Sequence, residues 1–139
     1  MFVTLEDVLI GARTIYGEGR GGSFDGMKAI GHVFVNRVNR TAGDADDDLA
    51  SAALRHRQFS AWNEGDPNRA KMQAARLDDP VFRACLRAML AALDEPDFTA
   101  GARHYMTVAR RTAGWPGSWG PKRAPCFAID DHLFYNDVD

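Results

Sequence analysis

Tyr16-Gly17-Glu18-Gly19-Arg20-Gly21-Gly22 sets a carboxylate between two glycines at the end of an amphipathic stretch. Upstream, Thr4 is suited to cap a helix with Glu6 and Asp7 in its first turn, and Leu5, Val8, Leu9, Ala12, Ile15 and Tyr16 recur at helical spacing. Gly17 and Gly19 then read as the helix stop. A carboxyl group at such an end, set against Tyr16, would be desolvated on one side and open to a ligand on the glycine side. That setting favours the protonated form and suits a general acid. The competing reading is a solvated glutamate in a last helical turn. Gly17-x-Gly19-x-x-Gly22 also matches the glycine spacing of dinucleotide-binding folds, but a helix rather than a strand precedes it, so the context those folds require is missing.

With 139 residues, 45% of them hydrophobic, one domain with its own core is expected over 1–139. The formal net charge of -2 supplies no basic field for nucleic acid or a lipid surface. Arg55-His56-Arg57 and Arg110-Arg111 stand beside the acidic stretch Asp44-Ala45-Asp46-Asp47-Asp48 and read as solvated surface. The two cysteines, Cys85 and Cys126, lack neighbours at metal-finger spacing, so no metal site and no cofactor is expected, while a disulfide between them stays open. The start Met1-Phe2-Val3-Thr4-Leu5-Glu6 has no basic segment followed by an apolar one, and no apolar run is long enough to cross a bilayer. The expectation is therefore synthesis in the cytoplasm without a signal peptide, no stable membrane insertion, and a monomer.

Beyond the glycines, Ser23 or Asp25 can cap a second helix with Met27, Ile30, Val33, Phe34, Arg37 and Val38 on one face, ending near Arg40. An acidic loop leads into a short helical piece through Leu54. Gln58-Phe59-Ser60-Ala61-Trp62-Asn63 reads as extended, entering a turn at Asn63-Glu64-Gly65-Asp66-Pro67. Asp79-Pro80 opens a scaffold helix with Val81, Ala84, Cys85, Leu86, Ala88, Met89 and Ala92 on its apolar side, and Pro96 lies just beyond its end. Short strands are expected at Ala102–Tyr105, Cys126–Ile129 and Leu133–Tyr135, around a Trp115-Pro116-Gly117-Ser118-Trp119-Gly120-Pro121 loop. Helices first and strands last make an α+β domain.

Four motifs now stand in order: the Ile15–Gly21 turn, the helix Met27-Lys28-Ala29-Ile30-Gly31-His32-Val33-Phe34-Val35-Asn36-Arg37-Val38, the Gln58–Asn63 segment, and His132-Leu133-Phe134-Tyr135. Together they resemble the spore-cortex-lytic type of bacterial cell-wall hydrolase (the SleB/CwlJ family) over nearly the whole chain. The resemblance implies a lysozyme-like fold, a helical core with a small antiparallel sheet toward the C-terminal half. It implies cleavage of the β-1,4 bond between N-acetylmuramic acid and N-acetylglucosamine in peptidoglycan glycan strands. Glu18 matches the family's catalytic glutamate, and the implied chemistry is that of a lytic transglycosylase giving 1,6-anhydro products.

A one-carboxylate mechanism agrees with the residues, since a two-carboxylate glycosidase needs a second Asp or Glu across the bond and only the Asp44 to Asp48 stretch offers one. Arg20 and Arg37 could fix Glu18 or a substrate carboxylate, or form structural ion pairs. A saccharide groove wants aromatic platforms among amides and hydroxyls, which Gln58, Ser60, Trp62, Tyr105 and Tyr135 supply, while Phe59 and Phe134 are expected in the core. Trp115 and Trp119 could wall the groove or pin their loop. His132 could bond Glu18 or substrate, or be structural; His32, His56 and His104 carry no stronger claim. The alternatives are a glycan-binding domain without catalysis, which would tolerate loss of Glu18, and an amidase, for which neither zinc ligands nor a nucleophilic cysteine is visible. A phage-type endolysin, released through an inner membrane that another protein permeabilises, fits the expected localisation.

Overall fold

The computed structural model describes residues 3–39, 64–114 and 122–138. Helix α1 (Leu5–Gly19) starts at Thr4, whose hydroxyl accepts from the Asp7 amide at 3.1 Å while the Asp7 carboxylate accepts from the Thr4 amide at 2.9 Å. This reciprocal pair satisfies donors the first turn would otherwise leave open. Helix α2 (Phe24–Asn39) is capped by Ser23, not Asp25: the Ser23 hydroxyl accepts from the Gly26 amide at 3.0 Å. Helices α3 (Pro67–Ala74) and α4 (Pro80–Asp94) share one starting device. Asp66 and Asp79 each accept from the amide two residues on at 2.8 Å, and proline, with no amide hydrogen to satisfy, takes the first position.

Helix α4 packs against both α1 and α2, the scaffold role its periodicity implies. Val8, Ala12 and Ile15 from α1 meet Ile30, Val33 and Phe34 from α2 and Phe82, Cys85 and Met89 from α4. Burying a side chain such as Phe34 stabilises the fold by about 1.5–3 kcal/mol. Close approach is bought with small residues: a Cβ at Gly31 would lie 2.8 Å from the Ala92 Cβ. On α4 the buried residue is Phe82 while Val81 is 41% exposed, because the Phe82, Cys85, Met89, Ala92 stripe fixes the phase and Val81 stands about 100° from it. Leu5 is also exposed.

Strand β1 (His104–Thr107) runs into the short helix α5 (Val108–Thr112), followed by β2 (Phe127–Ile129) and β3 (His132–Tyr135). The sheet order is β1-β3-β2, all antiparallel, with Tyr105 opposite Phe134, Thr107 opposite His132, and Phe127 opposite Phe134. Alternation puts Tyr105, Thr107, His132 and Phe134 on the face toward the helical core, and Met106, Leu133 and Tyr135 on the other. β1 begins later than its apolar pattern suggests, because the buried Ala102 carbonyl accepts from the Asn36 side chain at 2.9 Å and so belongs to the contact with α2. This is the α+β arrangement expected, with the sheet in the C-terminal half. The helical piece before Leu54, the Gln58–Asn63 segment and the Trp115–Pro121 loop fall outside the described residues.

Candidate active site

Glu18 is helical. Helix α1 continues through Gly17 and Glu18 to Gly19, and Arg20 beyond it keeps a right-handed backbone at φ -62°. Of the two glycines expected to stop the helix, Gly17 lies within it and Gly19 is its last residue, where it also serves packing: a Cβ there would lie 2.6 Å from Ile30 Cδ1. The chain reverses only afterwards, where the Gly22 amide donates to the Gly19 carbonyl at 3.0 Å.

Half-buried Glu18 opens onto a cleft of about 430 Å³, a size suited to a small-molecule or sugar-unit ligand. The 21–23 loop lines the cleft beside it. From the sheet come Thr107 and the hairpin tip Asp130-Asp131-His132. Tyr16 does not wall the carboxylate, because its hydroxyl donates to the Asp79 carboxylate at 3.0 Å and its ring meets Phe82 edge-on. The aromatic partner of Glu18 is Tyr105. Burial pushes the Tyr105 phenol well above its ordinary range, and the nearby Glu18 carboxylate pushes it further, so the phenol keeps its proton.

His132 stands edge-on to Tyr105 at 5.5 Å between centroids, with Nδ1 3.2 Å from Asp131 Oδ1. Burial lowers its pKa despite the neighbouring Asp131 and Asp130, so the ring is neutral near pH 7. The Asp131 contact then favours the proton on Nδ1 and leaves Nε2 as an acceptor.

A family profile described as Cell Wall Hydrolase matches residues 21–135, beginning just past Glu18. The chain belongs to that family. Among curated proteins, the chain is 28% identical over 130 residues to a spore cortex-lytic enzyme of Halalkalibacterium halodurans, covering 94% of this chain and 34% of that protein. It thus spans about a third of that relative's length. Among solved structures, the catalytic domain of Bacillus cereus SleB matches with TM-score 0.72 at 25% identity, over 96% of this chain and 91% of that one. The catalytic domain of germination-specific lytic transglycosylase SleB from Bacillus anthracis matches with TM-score 0.71 at 24% identity, over 95% of each.

Of the residues singled out in the sequence of this family member, Glu18, Tyr105 and His132 come together. Tyr105, expected as a sugar platform, has its hydroxyl oxygen buried, where the charge of Glu18 acts on it. Tyr135 is corrected: it is fully buried with Met106 and Val138 on the opposite face of the sheet, so it offers no surface to a sugar in this cleft. Phe134 is in the core as expected. Gln58, Ser60 and Trp62, with Phe59, Trp115, Trp119 and Asp44 to Asp48, lie outside the described residues.

Arg20 donates to the Tyr16 carbonyl at 3.0 Å and to the Asn68 side chain at 2.9 Å, tying the end of α1 to α3. Arg37 is buried and donates to the Arg103 carbonyl at 3.1 Å, close enough to Tyr105 for its charge to act on the phenol. Both cysteines are free; burial pushes the Cys85 thiol up to about 12, and the Cys126 thiol lies 3.3 Å from the Thr99 carbonyl. Among the described residues, no three His, Cys, Asp or Glu side chains gather as a metal site. The site residues missed from sequence are Thr107, Asp130 and Asp131. The signal for the last two was the short gap between the strand patterns ending at Ile129 and beginning at Leu133, the length of a tight hairpin loop.

Proposed function

We propose that this chain cleaves peptidoglycan glycan strands at the β-1,4 bond between N-acetylmuramic acid and N-acetylglucosamine, as a lytic transglycosylase with Glu18 as its acid and base. The observation that carries the reading is a half-buried Glu18 at a helix end, opening on a cleft beside the buried Tyr105 phenol, on which its charge acts. Protonated Glu18 delivers its proton to the bridging oxygen as the bond from that oxygen to the muramic C1 breaks. The resulting carboxylate then takes the proton of the muramic 6-hydroxyl while that oxygen bonds C1. No water is consumed, and Glu18 ends protonated as it began.

Tyr105 orients the carboxyl and stabilises its ionised form midway through the cycle. Neutral His132, with Nε2 as an acceptor, suits a sugar hydroxyl. The membership in the Cell Wall Hydrolase family and the likeness to SleB catalytic domains support this chemistry over simple glycan binding. Gln58, Ser60 and Trp62 bring the amide, hydroxyl and indole groups that a saccharide groove uses.

A second reading, hydrolysis, has one observation in its favour. Asp131 lines the same cleft as Glu18, and its side chain is 77% exposed, so it could serve as a second carboxylate that activates water. Mass spectrometry of digested peptidoglycan separates the two. Products ending in 1,6-anhydro-muramic acid support transglycosylation; reducing muramic ends as the sole product would replace it by hydrolysis. Release of free stem peptides with intact glycan would overturn both.

A further inference from the structure

The tip of the β2–β3 hairpin is joined to the start of α2 through one carboxylate oxygen. Asp130 Oδ2 accepts from the Ser23 amide at 3.0 Å and from the Ser23 hydroxyl at 3.0 Å, and that hydroxyl accepts in turn from the Gly26 amide at 3.0 Å. The two partners are 107 residues apart in sequence. Space for this oxygen is kept by glycines on both sides of Ser23: a Cβ at Gly22 would lie 2.7 Å from Asp130 Oδ2, and one at Gly26 would collide with the same atom. The positive end of the α2 dipole favours a carboxylate there.

The backbone of Asp130 adds an independent argument. Its φ is +54°, in the left-handed region, where a glycine would satisfy the turn without steric cost. An aspartate there keeps a strained backbone and supplies what glycine lacks, the oxygen that reaches Ser23. The 21–23 loop, Asp130-Asp131-His132 and Glu18 line the same cleft, together with Thr107.

We infer that Asp130 is a positioning residue: its carboxylate clasps the hairpin to the first turn of α2 and thereby sets the spacing across the cleft between Glu18 and the Asp131-His132 wall. Asp130 does not touch the reacting atoms. Without the clasp, glycan still enters, but its scissile oxygen is held less well against Glu18, a loss that falls on kcat more than on KM. The inference rests on the glycan-cleaving reading proposed above.

Three variants test it, assayed on soluble glycan strands well below each melting temperature. Asp130→Gly keeps the turn and removes the oxygen, and should lower kcat by about tenfold or more with KM within about threefold. Asp130→Asn keeps both a left-handed residue and an acceptor oxygen, and should recover most of that loss. Gly22→Ala keeps the carboxylate but pushes it off Ser23, so it should lower kcat in the wild-type background and add nothing in the Asp130→Gly background. Wild-type kcat in Asp130→Gly, or additive losses in the double variant, overturns the inference. If Asp130→Gly does not fold, Gly22→Ala alone decides, since an unchanged kcat there contradicts the clasp. Amide exchange gives a readout independent of activity: the Ser23 amide should exchange faster in Asp130→Gly or Gly22→Ala, and unchanged protection in the folded variant overturns the clasp. A wild-type protein inactive on glycan would instead defeat the proposed function, while the exchange experiment would still decide the clasp.

Discussion

Replacing Tyr105 with Phe removes one oxygen from beside Glu18 and retains the ring that packs against His132 and Phe134 at centroid distances of 5.5 and 5.8 Å. The lost group is a phenol beside Glu18, and a hydrogen bond from it to the ionised carboxylate, closed midway through the cycle, is worth about 1.5–3 kcal/mol. At about 1.36 kcal/mol per decade, and with the contact formed while Glu18 is ionised midway through the cycle, the rate should fall roughly ten- to a hundredfold. The pH dependence should move as well. A donor that favours the ionised carboxylate is gone, so the alkaline limb of the activity profile, where the acid loses its proton, should shift to higher pH. The assay is release of soluble fragments from purified peptidoglycan across pH, with circular dichroism to confirm folding. Because the ring contacts stay, stability should change by no more than about 1 kcal/mol. Wild-type rates with an unmoved alkaline limb would refute the assignment of Tyr105 as the residue that holds Glu18.

Two further expectations concern stability. Gly31→Ala sets a Cβ 2.8 Å from the Ala92 Cβ, which is fixed to α4, so overpacking of about 1–3 kcal/mol outweighs or cancels a helix-propensity gain of about 1 kcal/mol. Gly11→Ala meets the Met89 side chain, 2.6 Å from its sulfur and 3.1 Å from its Cγ, which can change rotamer where the Ala92 Cβ cannot, and should melt higher than Gly31→Ala; the opposite order would contradict the packing described. On acidification, three groups act in one direction. Burial lowers the pKa of His32 and of His132, so each contributes stability that is full above the unfolded value near pH 6.5 and lost as pH falls through the lower folded value. Burial alone would raise the Asp97 carboxyl, but hydrogen bonds from Thr99, Gly101 and Asn36 win and hold it below its ordinary range, so its contribution is lost below about pH 4. The melting temperature should fall steadily from about pH 6.5 downward, and a rise between pH 7 and pH 5 would refute this.

The parts legible in the sequence were those governed by neighbours along the chain. Thr4 with Asp7 and Asp79 with Pro80 announce α1 and α4 because capping acts over two or three residues. Asp66-Pro67 carries the same device, but α3 buries Met72 alone, so no apolar period accompanies its cap and the pair reads as a turn. Glu18 stands out between its glycines and α1 does end at Gly19, but the packing that also requires Gly19 is not local, since the Ile30 methyl it admits comes from the next helix. The tyrosines turned on register, where a single residue exchanges the faces of a strand. Tyr105 belongs with Phe134 toward the helices, and Tyr135 faces the other way. The Asp130 clasp could not be read at all, because its partner lies 107 residues away.

Glu18→Gln tests the central claim most directly, because it keeps the shape of the side chain and removes its titrating proton. Purified peptidoglycan is digested with wild type and variant at equal concentration, and soluble muropeptides are quantified by mass spectrometry, with circular dichroism showing that both proteins are folded. The account predicts fragments from the wild type and a loss of at least about a thousandfold in the variant, since proton delivery to the leaving oxygen has no other source in the mechanism. A folded Glu18→Gln protein that still releases fragments at a comparable rate would contradict it.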